Sequence, residues 1–343
     1  MLDEPSTIVN LPYPGLLDPD LRGDGMRRCA LIALGGNALC AADQKGTYDE
    51  QRANARVMAA SIAELLDAGW RVVVVHGNGP QVGALGVQQD EAMALVPPQP
   101  LSSLCAMTQG YLGSLIELAL RERLGRRQEV LSVVTHVVVH GDDPAFAAPS
   151  KPIGPFYPDA EARRFEATRQ WILGEDAGRG WRRLVPSPEP LAILEADAIR
   201  RLVDDGVVVI ACGGGGVPIA MSSDGYIGVD AVIDKDLAAQ RLASALGVDV
   251  LALVTAVPAV QLDHGTPHQR DLHALSVDDA IQHLADGQFA AGSMAPKINA
   301  AIRFIEEGGR AAAITSPELL VATVTGRDDG AGTLITRRAP ARS

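Results

Sequence analysis

Lysine is rare in this chain. Lys45, Lys151, Lys235 and Lys297 are its four lysines, and arginine carries the rest of the positive charge. Three of the four stand in contexts that could place a charge. Lys235 lies between Asp234 and Asp236 and follows the apolar segment Val229-Asp230-Ala231-Val232-Ile233. Lys297 follows Gly292-Ser293-Met294-Ala295-Pro296, where Pro296 suits the first turn of a helix. Lys151 sits in Ser150-Lys151-Pro152-Ile153-Gly154-Pro155. An ammonium group meets phosphate as a compact point charge, whereas a guanidinium is a planar fork. Selective lysine use therefore points towards phosphate chemistry. Taken singly, each lysine reads as a surface residue before a catalyst, and a lysine flanked by aspartates is usually a solvated helix start.

Three glycine-rich turns accompany the lysines: Gly35-Gly36-Asn37, Gly77-Asn78-Gly79 and the run Gly213 to Gly216. Each follows an apolar strand-like run, the end of an open α/β sheet where ligands bind. Glycine lets backbone approach a ligand closely, and a following helix N-terminus adds free N–H groups and partial positive charge. One such turn is unremarkable; three at strand ends form a candidate anion cradle. None fits G-x-G-x-x-G with an acidic residue downstream, and none fits G-x-x-x-x-G-K-[ST]. His76, just before the second turn, is open to either a ligand-contacting or a hydrogen-bonded structural role.

The elements that must position these groups alternate. Strand-like runs cover 30–36, 71–75, 130–139, 207–211, 248–255 and 310–315. Helical spacing covers 50–68, 103–123, 194–205, 234–246, 276–285 and 296–307. Gly69 ends the first helix. Continuous apolar strands with intervening helices predict a largely parallel sheet covered on both faces. Residues 142–181 break the rhythm with Pro144, Pro149, Pro152, Pro155 and Pro158, as an inserted lid subdomain would.

Composition narrows the function classes. The net charge of −12 gives no global attraction for nucleic acid or anionic membranes. Aromatic residues are 4% of the chain, too few for a base-stacking platform. At 343 residues the chain folds without disulfides or structural metals. Cys29, Cys40, Cys105 and Cys212 contain no C-x-x-C pair and read as buried thiols in a reducing compartment. No apolar run reaches membrane-span length, and residues 1–25 read as a loose extension rather than a signal peptide. A cytoplasmic protein is the expectation.

With these segments aligned, the sequence closely resembles the carbamate kinases of the amino acid kinase superfamily. The resemblance rests on Ala33-Leu34-Gly35-Gly36-Asn37-Ala38-Leu39, His76-Gly77-Asn78-Gly79-Pro80-Gln81-Val82-Gly83 and Thr108-Gln109-Gly110-Tyr111. It continues through Lys151-Pro152-Ile153-Gly154-Pro155-Phe156-Tyr157, the Glu175 to Arg183 run, Ala211 to Gly216, Val232 to Ala238 and Gly292 to Lys297. It spans about 26–336 in family order. The lid segment and Glu175-Asp176-Ala177-Gly178-Arg179-Gly180-Trp181 are its most specific parts.

The resemblance implies an open αβα sandwich with a mainly parallel central sheet and a small inserted lid. It divides the chain into the extension 1–25, a carbamate and carbamoyl phosphate lobe 26–212 with the lid at about 142–181, and a nucleotide lobe 213–343. The implied reaction is reversible phosphoryl transfer between ATP and carbamate, giving ADP and carbamoyl phosphate. The family usually runs it towards ATP, in catabolism of arginine or other nitrogen compounds. Lys235 and Lys297 would act on the transferring group, Asp234 would orient both ammonium groups, and Lys151 would close from the lid. Gly35, Gly36, Asn37, Gly77, Asn78, Gly79, Gly213 and Gly214 would cradle phosphoryl or carbamate. Thr255, Ala256, Val257, Met294, Pro296 and Lys297 would face the nucleotide. Magnesium would ride on nucleotide phosphates with no protein metal ligand assigned, and the family is typically homodimeric.

Two departures stand out. Pro258 and Ala259 replace an acidic residue and a lysine common in the family near the nucleotide, and Ala295 replaces a frequent glycine. Two other readings stay open at this point. A related superfamily kinase acting on another carboxylate or a phosphonate would keep the glycine turns and both lysines but not the Lys151 lid. A non-catalytic sensor of nucleotide or carbamoyl phosphate has only Pro258-Ala259 in its favour.

Overall fold

The computed structural model describes residues 28–35, 39–41, 43–176, 178–290, 292–328 and 330–338. The extension 1–25, Gly36 and Asn37 lie outside the described residues. The centre is an eight-stranded sheet, in spatial order Ala274–Ser276, Thr333–Thr336, Ala311–Thr315, Val250–Val254, Cys29–Leu34, Arg71–His76, Val208–Ile210 and Val130–Ser132. Its neighbours pair in parallel except Ala311–Thr315 with Thr333–Thr336.

Strand alternation sorts the core into two layers. Leu31, Ala33, Val73, Val75, Leu251 and Leu253 pack under helices Ala196–Asp204, Lys235–Leu246 and Met294–Glu306. Ala30, Ile32, Leu34, Val72, Val74, Val250 and Ala252 pack under Tyr48–Asp67, Leu101–Leu124 and Leu320–Thr325 on the other face. This is the expected αβα sandwich. The expected helices begin and end within a few residues of the observed ones, fixed by local chemistry. Thr47 and Glu50 form a capping box at the first helix, and Gly69 follows it at φ +87°.

Several elements differ from the sequence reading, among them strand Thr333–Thr336 and helix Leu320–Thr325 beyond the last expected strand, and three of the differences bear on the site. The run 130–139 is two strands: Val130–Ser132 joins the main sheet, while His136–Val138 joins a second, four-stranded sheet. Thr135 pins the break, because its buried hydroxyl donates to Gln109 and accepts from the Cys212 amide. Helix Gly79–Ala92 was not expected, since the interior glycines Gly83 and Gly86 depress its helix propensity, although Pro80 suits its first turn. The inserted region is ordered as strands Lys151–Tyr157, Leu173–Glu175 and Trp181–Val185 with helix Asp159–Arg169, so the lid extends to Val185, and 142–149 lead into it.

The lid has its own small core of Tyr157, Ala162, Phe165, Trp171 and Leu173. It joins the body through a second cluster, where Ile153 and Val185 pack with Val82, Leu101, Leu104, Cys105 and Val232. Gly83 explains the weak propensity of its helix: a Cβ there would lie 2.0 Å from the Gly154 nitrogen of the lid. Of the cysteines, Cys29, Cys105 and Cys212 are buried as expected, while Cys40 is only partly covered. Among the described residues no helix is long and apolar enough to cross a membrane.

Candidate active site

Asp234 is the N-cap of helix Lys235–Leu246. Its Oδ1 accepts from the amides of Asp236 at 2.9 Å and Leu237 at 3.4 Å. The cap places Lys235 and Asp236 in the first turn, and both are buried rather than solvated as a bare Asp-Lys-Asp start would be. Lys235 Nζ donates to Asp236 Oδ1 at 2.5 Å. Lys297 Nζ, from the start of helix Met294–Glu306, donates to Asp236 Oδ2 at 2.9 Å. Packing of Ala238, Ala239 and Leu242 with Ile298, Ala301 and Ile302 in one core holds the two helices in this relation.

The residue that holds both ammonium groups is therefore Asp236, which corrects the expectation for Asp234. The physical reason is position. The N-cap carboxylate folds back onto helix amides, while the carboxylate two residues later is free to meet a neighbouring helix. Asp234 instead pairs through Oδ2 with Lys151 of the lid. The structure thus brings Lys151, Asp234, Lys235, Asp236 and Lys297 together. Three ammonium and two carboxylate groups leave one net positive charge for an anion to meet.

Burial and charge act against each other here. Desolvation would raise the Asp236 carboxyl, but Lys235 and Lys297 overcome it and hold the group well below the usual carboxylate range. Desolvation lowers Lys235, and the Asp236 charge recovers only part of the shift. Lys297 is also pushed down by burial, but Asp236 outweighs that, leaving it above the ordinary lysine value. Asp234 is lowered because Lys151 outweighs its desolvation.

The strand ends that lead to Gly35, Gly77 and Gly213 lie side by side, because the strands are parallel neighbours. A Cβ at Gly35 would lie 3.1 Å from the carbonyl oxygen of Val254, next to Thr255. Gly77 follows Arg71–His76, but its amide donates to Leu34 O at 3.1 Å. That corrects the expectation that Gly77 donates to a ligand: its N–H is already paired in the sheet. Asn78 is buried and caps helix Gly79–Ala92 without a side-chain cap bond; its Nδ2 donates to Thr108 Oγ1 at 2.9 Å instead.

Gly213 and Gly214 pack beneath this turn. A Cβ on Gly213 would be 2.3 Å from His76 Nε2, and one on Gly214 would be 2.1 Å from Asn78 Cγ. The run Gly213–Gly215 is a short 3-10 turn leading into strand Val217–Ser222, so no α-helix N-terminus follows it. His76 is fully enclosed, with Nδ1 3.0 Å from Gly77 O, and burial pushes its pKa down to about 4. It is a neutral structural residue.

Thr255, Ala256 and Val257 leave the sheet after Val250–Val254, at the same end as Gly35 and Gly77, with the Thr255 amide bonded to Thr315 O at 2.9 Å. Met294 and Pro296 are partly exposed at the head of the helix that carries Lys297. Ala259 is buried, so its side-chain position belongs to the core, while Pro258 is exposed.

Sequence reasoning missed Arg182. It lies in the Trp181-Arg182-Arg183 run, and only the tertiary structure shows which of the two arginines comes to the start of helix Gly79–Ala92: Arg182 approaches Gly79, while Arg183 approaches Gly86. Its Nε donates to Gly154 O at 3.1 Å and its Nη1 to Asp176 at 2.9 Å. Its Nη2 lies 3.8 Å from the Cβ position of Gly79, where Pro152 O also approaches to 3.7 Å. The lid thus delivers two cations, Lys151 to Asp234 and Arg182 to the start of helix Gly79–Ala92.

No group of three or more His, Cys, Asp or Glu side chains among the described residues is arranged to hold a metal. Asp234 and Asp236 already engage lysines and helix amides. The donor set does not fit a protein-held magnesium ion.

Residues 28–316 match the amino acid kinase family. The chain is 46% identical over 302 residues to carbamate kinase of Pyrococcus horikoshii, covering 87% of this chain and 96% of that protein. It is 44% identical to carbamate kinase of Pyrococcus furiosus, covering 88% and 98%. Among solved structures, Giardia lamblia carbamate kinase bound to citric acid superposes with a TM-score of 0.85 at 40% identity, covering 90% of this chain and 98% of that one. The same Giardia enzyme bound to AMP-PNP gives 0.81, also at 40% identity and the same coverage. On fold, site and kinship together, the chain belongs to the amino acid kinase family and, within it, to the carbamate kinases.

Proposed function

We propose that this carbamate kinase exchanges a phosphoryl group between ATP and carbamate at the cleft around Asp236, and that it runs the reaction towards ATP from carbamoyl phosphate and ADP. The observation that carries the reading is the convergence of Lys235 and Lys297 on one buried carboxylate, with Lys151 brought in by the lid.

Phosphoryl transfer needs in-line positioning and neutralisation of charge, with little covalent chemistry by the protein. Carbamate is itself an anionic oxygen nucleophile and needs no strong general base. The obstacle is repulsion between anions: two unit charges about 4 Å apart interact by roughly 4 kcal/mol at an effective dielectric near 20. Lys235 and Lys297 would offset such terms from either side of the transferring group, with Asp236 fixing their separation. Gly35, Asn78 and Gly79 are the backbone donors assigned to the cradle, and Lys151 and Arg182 cover the carbamoyl side. Thr255, Ala256, Val257, Met294 and Pro296 are assigned to the nucleotide. In this division 26–212 serves the carbamoyl substrate and 213–343 the nucleotide. Magnesium bound with the nucleotide would add neutralising charge there, with no ligand from this chain assigned to it. A homodimer feeding nitrogen catabolism, including that of arginine, completes the reading.

The test is to incubate the purified chain with carbamoyl phosphate, ADP and magnesium and follow ATP, with acetylglutamate and ATP as the control. ATP formation from carbamoyl phosphate alone is expected. Turnover only with acetylglutamate, or none with either, would overturn the proposal.

A further inference from the structure

A cavity of about 400 Å³ opens along the C-terminal half of helix Gly79–Ala92, where the lid meets the body. It touches none of the clustered lysines. Its lid wall includes Arg169, Trp171 and Arg183; its body wall includes Asp90 and Asp230, and Pro98 and Pro100 line it as well.

The polar groups around it are incompletely partnered. The Arg183 guanidinium stacks 4.9 Å from the Trp171 ring centroid, and it neither donates a hydrogen bond nor forms an ion pair with any described residue. Asp90 Oδ2 and Arg169 Nη1 face each other at 3.5 Å as an ion pair, both buried and neither in a hydrogen bond, while Arg169 Nη2 meets Glu91. Asp230 accepts from the Leu101 amide at 2.9 Å and remains exposed. A charged group withdrawn from water is normally hydrogen-bonded as well as paired, so Arg183 and the Asp90–Arg169 pair retain unused hydrogen-bonding capacity.

The two walls carry opposite signs. A simple anion attracted to Arg183 would meet Asp90 and Asp230. A simple cation drawn to those carboxylates would meet Arg183 and Arg169. A ligand with both charges satisfies both walls, and the proline and tryptophan surfaces in the lining favour an apolar body. The volume is within the range of small-molecule sites, which begins at about 300 Å³. We propose that this cavity is a second binding site that takes a free α-amino acid with an apolar side chain, its carboxylate on Arg183 and its ammonium towards Asp90 and Asp230. Its occupant bridges lid and body without contacting the phosphoryl site.

The experiment is calorimetric titration of the full chain with L-leucine, N-acetyl-L-leucine and L-leucinamide. L-leucine is expected to bind saturably, one per chain. Each derivative lacks one charge and is expected to bind at least about tenfold more weakly, the loss of one charged hydrogen-bonded contact. Arg183→Gln should weaken L-leucine binding by a similar factor. Asp230→Asn keeps an oxygen for the Leu101 amide, and should weaken L-leucine while leaving N-acetyl-L-leucine unchanged. Absence of L-leucine binding up to its solubility limit overturns the proposal. So does equal binding of all three compounds, or L-leucine binding that both variants leave intact.

Discussion

Lys297 reaches from its own helix to donate to Asp236 Oδ2 at 2.9 Å, a residue 61 positions earlier in the chain. Lys235, beside Asp236 in sequence, takes the other oxygen. One carboxylate therefore sets the distance between two cations that would otherwise repel each other in a buried site.

Asp236→Asn should be the most damaging single change in the cluster. It leaves two buried ammonium groups without their shared anion, and breaking a buried pair costs about 3–5 kcal/mol. Turnover is expected to fall by orders of magnitude, together with a lower midpoint in denaturant unfolding. Asp234→Asn should perturb stability less, since an amide oxygen still caps the helix and both lysines keep Asp236. Equal loss of stability in the two variants would contradict the assignment of Asp236 as the shared anchor.

Lys235→Met and Lys297→Met test the two cations separately. Both side chains are buried, so they are structural partners as well as charges. Each variant still leaves Asp236 one ammonium partner. Folded protein with kcat reduced by orders of magnitude is the expected result for both. Near wild-type turnover in either would remove that lysine from the phosphoryl site.

The lid cations should affect one substrate more than the other. Lys151→Met and Arg182→Gln are expected to raise KM for carbamoyl phosphate several-fold while leaving KM for ADP nearly unchanged. Steady-state kinetics varying each substrate in turn would decide it, and equal rises in both constants would count against the lid assignment.

The pH dependence has a definite sign. Lys235 sits below its ordinary value of 10.5, so it loses its proton first as pH rises. The alkaline limb of kcat should therefore have its midpoint below 10.5. Lys297 is raised, so the stability it contributes is present below the unfolded lysine value and is lost only as pH climbs through its higher folded value. Asp236 is depressed, so its contribution is present above the unfolded value of 3.8 and lost only as pH falls through the lower folded one. An alkaline midpoint above that of free lysine would show that Lys235 does not limit turnover.

Gly214→Ala should destabilise the fold through two effects at one position. Gly214 has φ +66°, and an added Cβ would lie 2.1 Å from Asn78 Cγ. Gly83→Ala has no φ strain but would drive a Cβ into Gly154 of the lid. The first variant should lower the unfolding midpoint most, and the second should chiefly raise KM for carbamoyl phosphate. Indifference of both properties to Gly83→Ala would mean the lid does not need this close approach.

Much of this was legible in the sequence because it depends on local chemistry. Continuous apolar runs, helical spacing and the acidic helix start at Asp234 fix most of the main elements and the αβα layering without long-range information. Scarce lysines in charged or turn contexts marked the chemistry, and the family motifs around them marked the substrate. Other features were decided only by tertiary contact. Helix Gly79–Ala92 is hidden by glycines that exist for the lid, and the amide of Gly77 is taken by a neighbouring strand. Which aspartate of Asp234-Lys235-Asp236 holds the lysines depends on where a helix 61 residues away arrives. Spacing along the chain fixes which face a side chain takes, but its partner is set by the packing of two helices in a shared core.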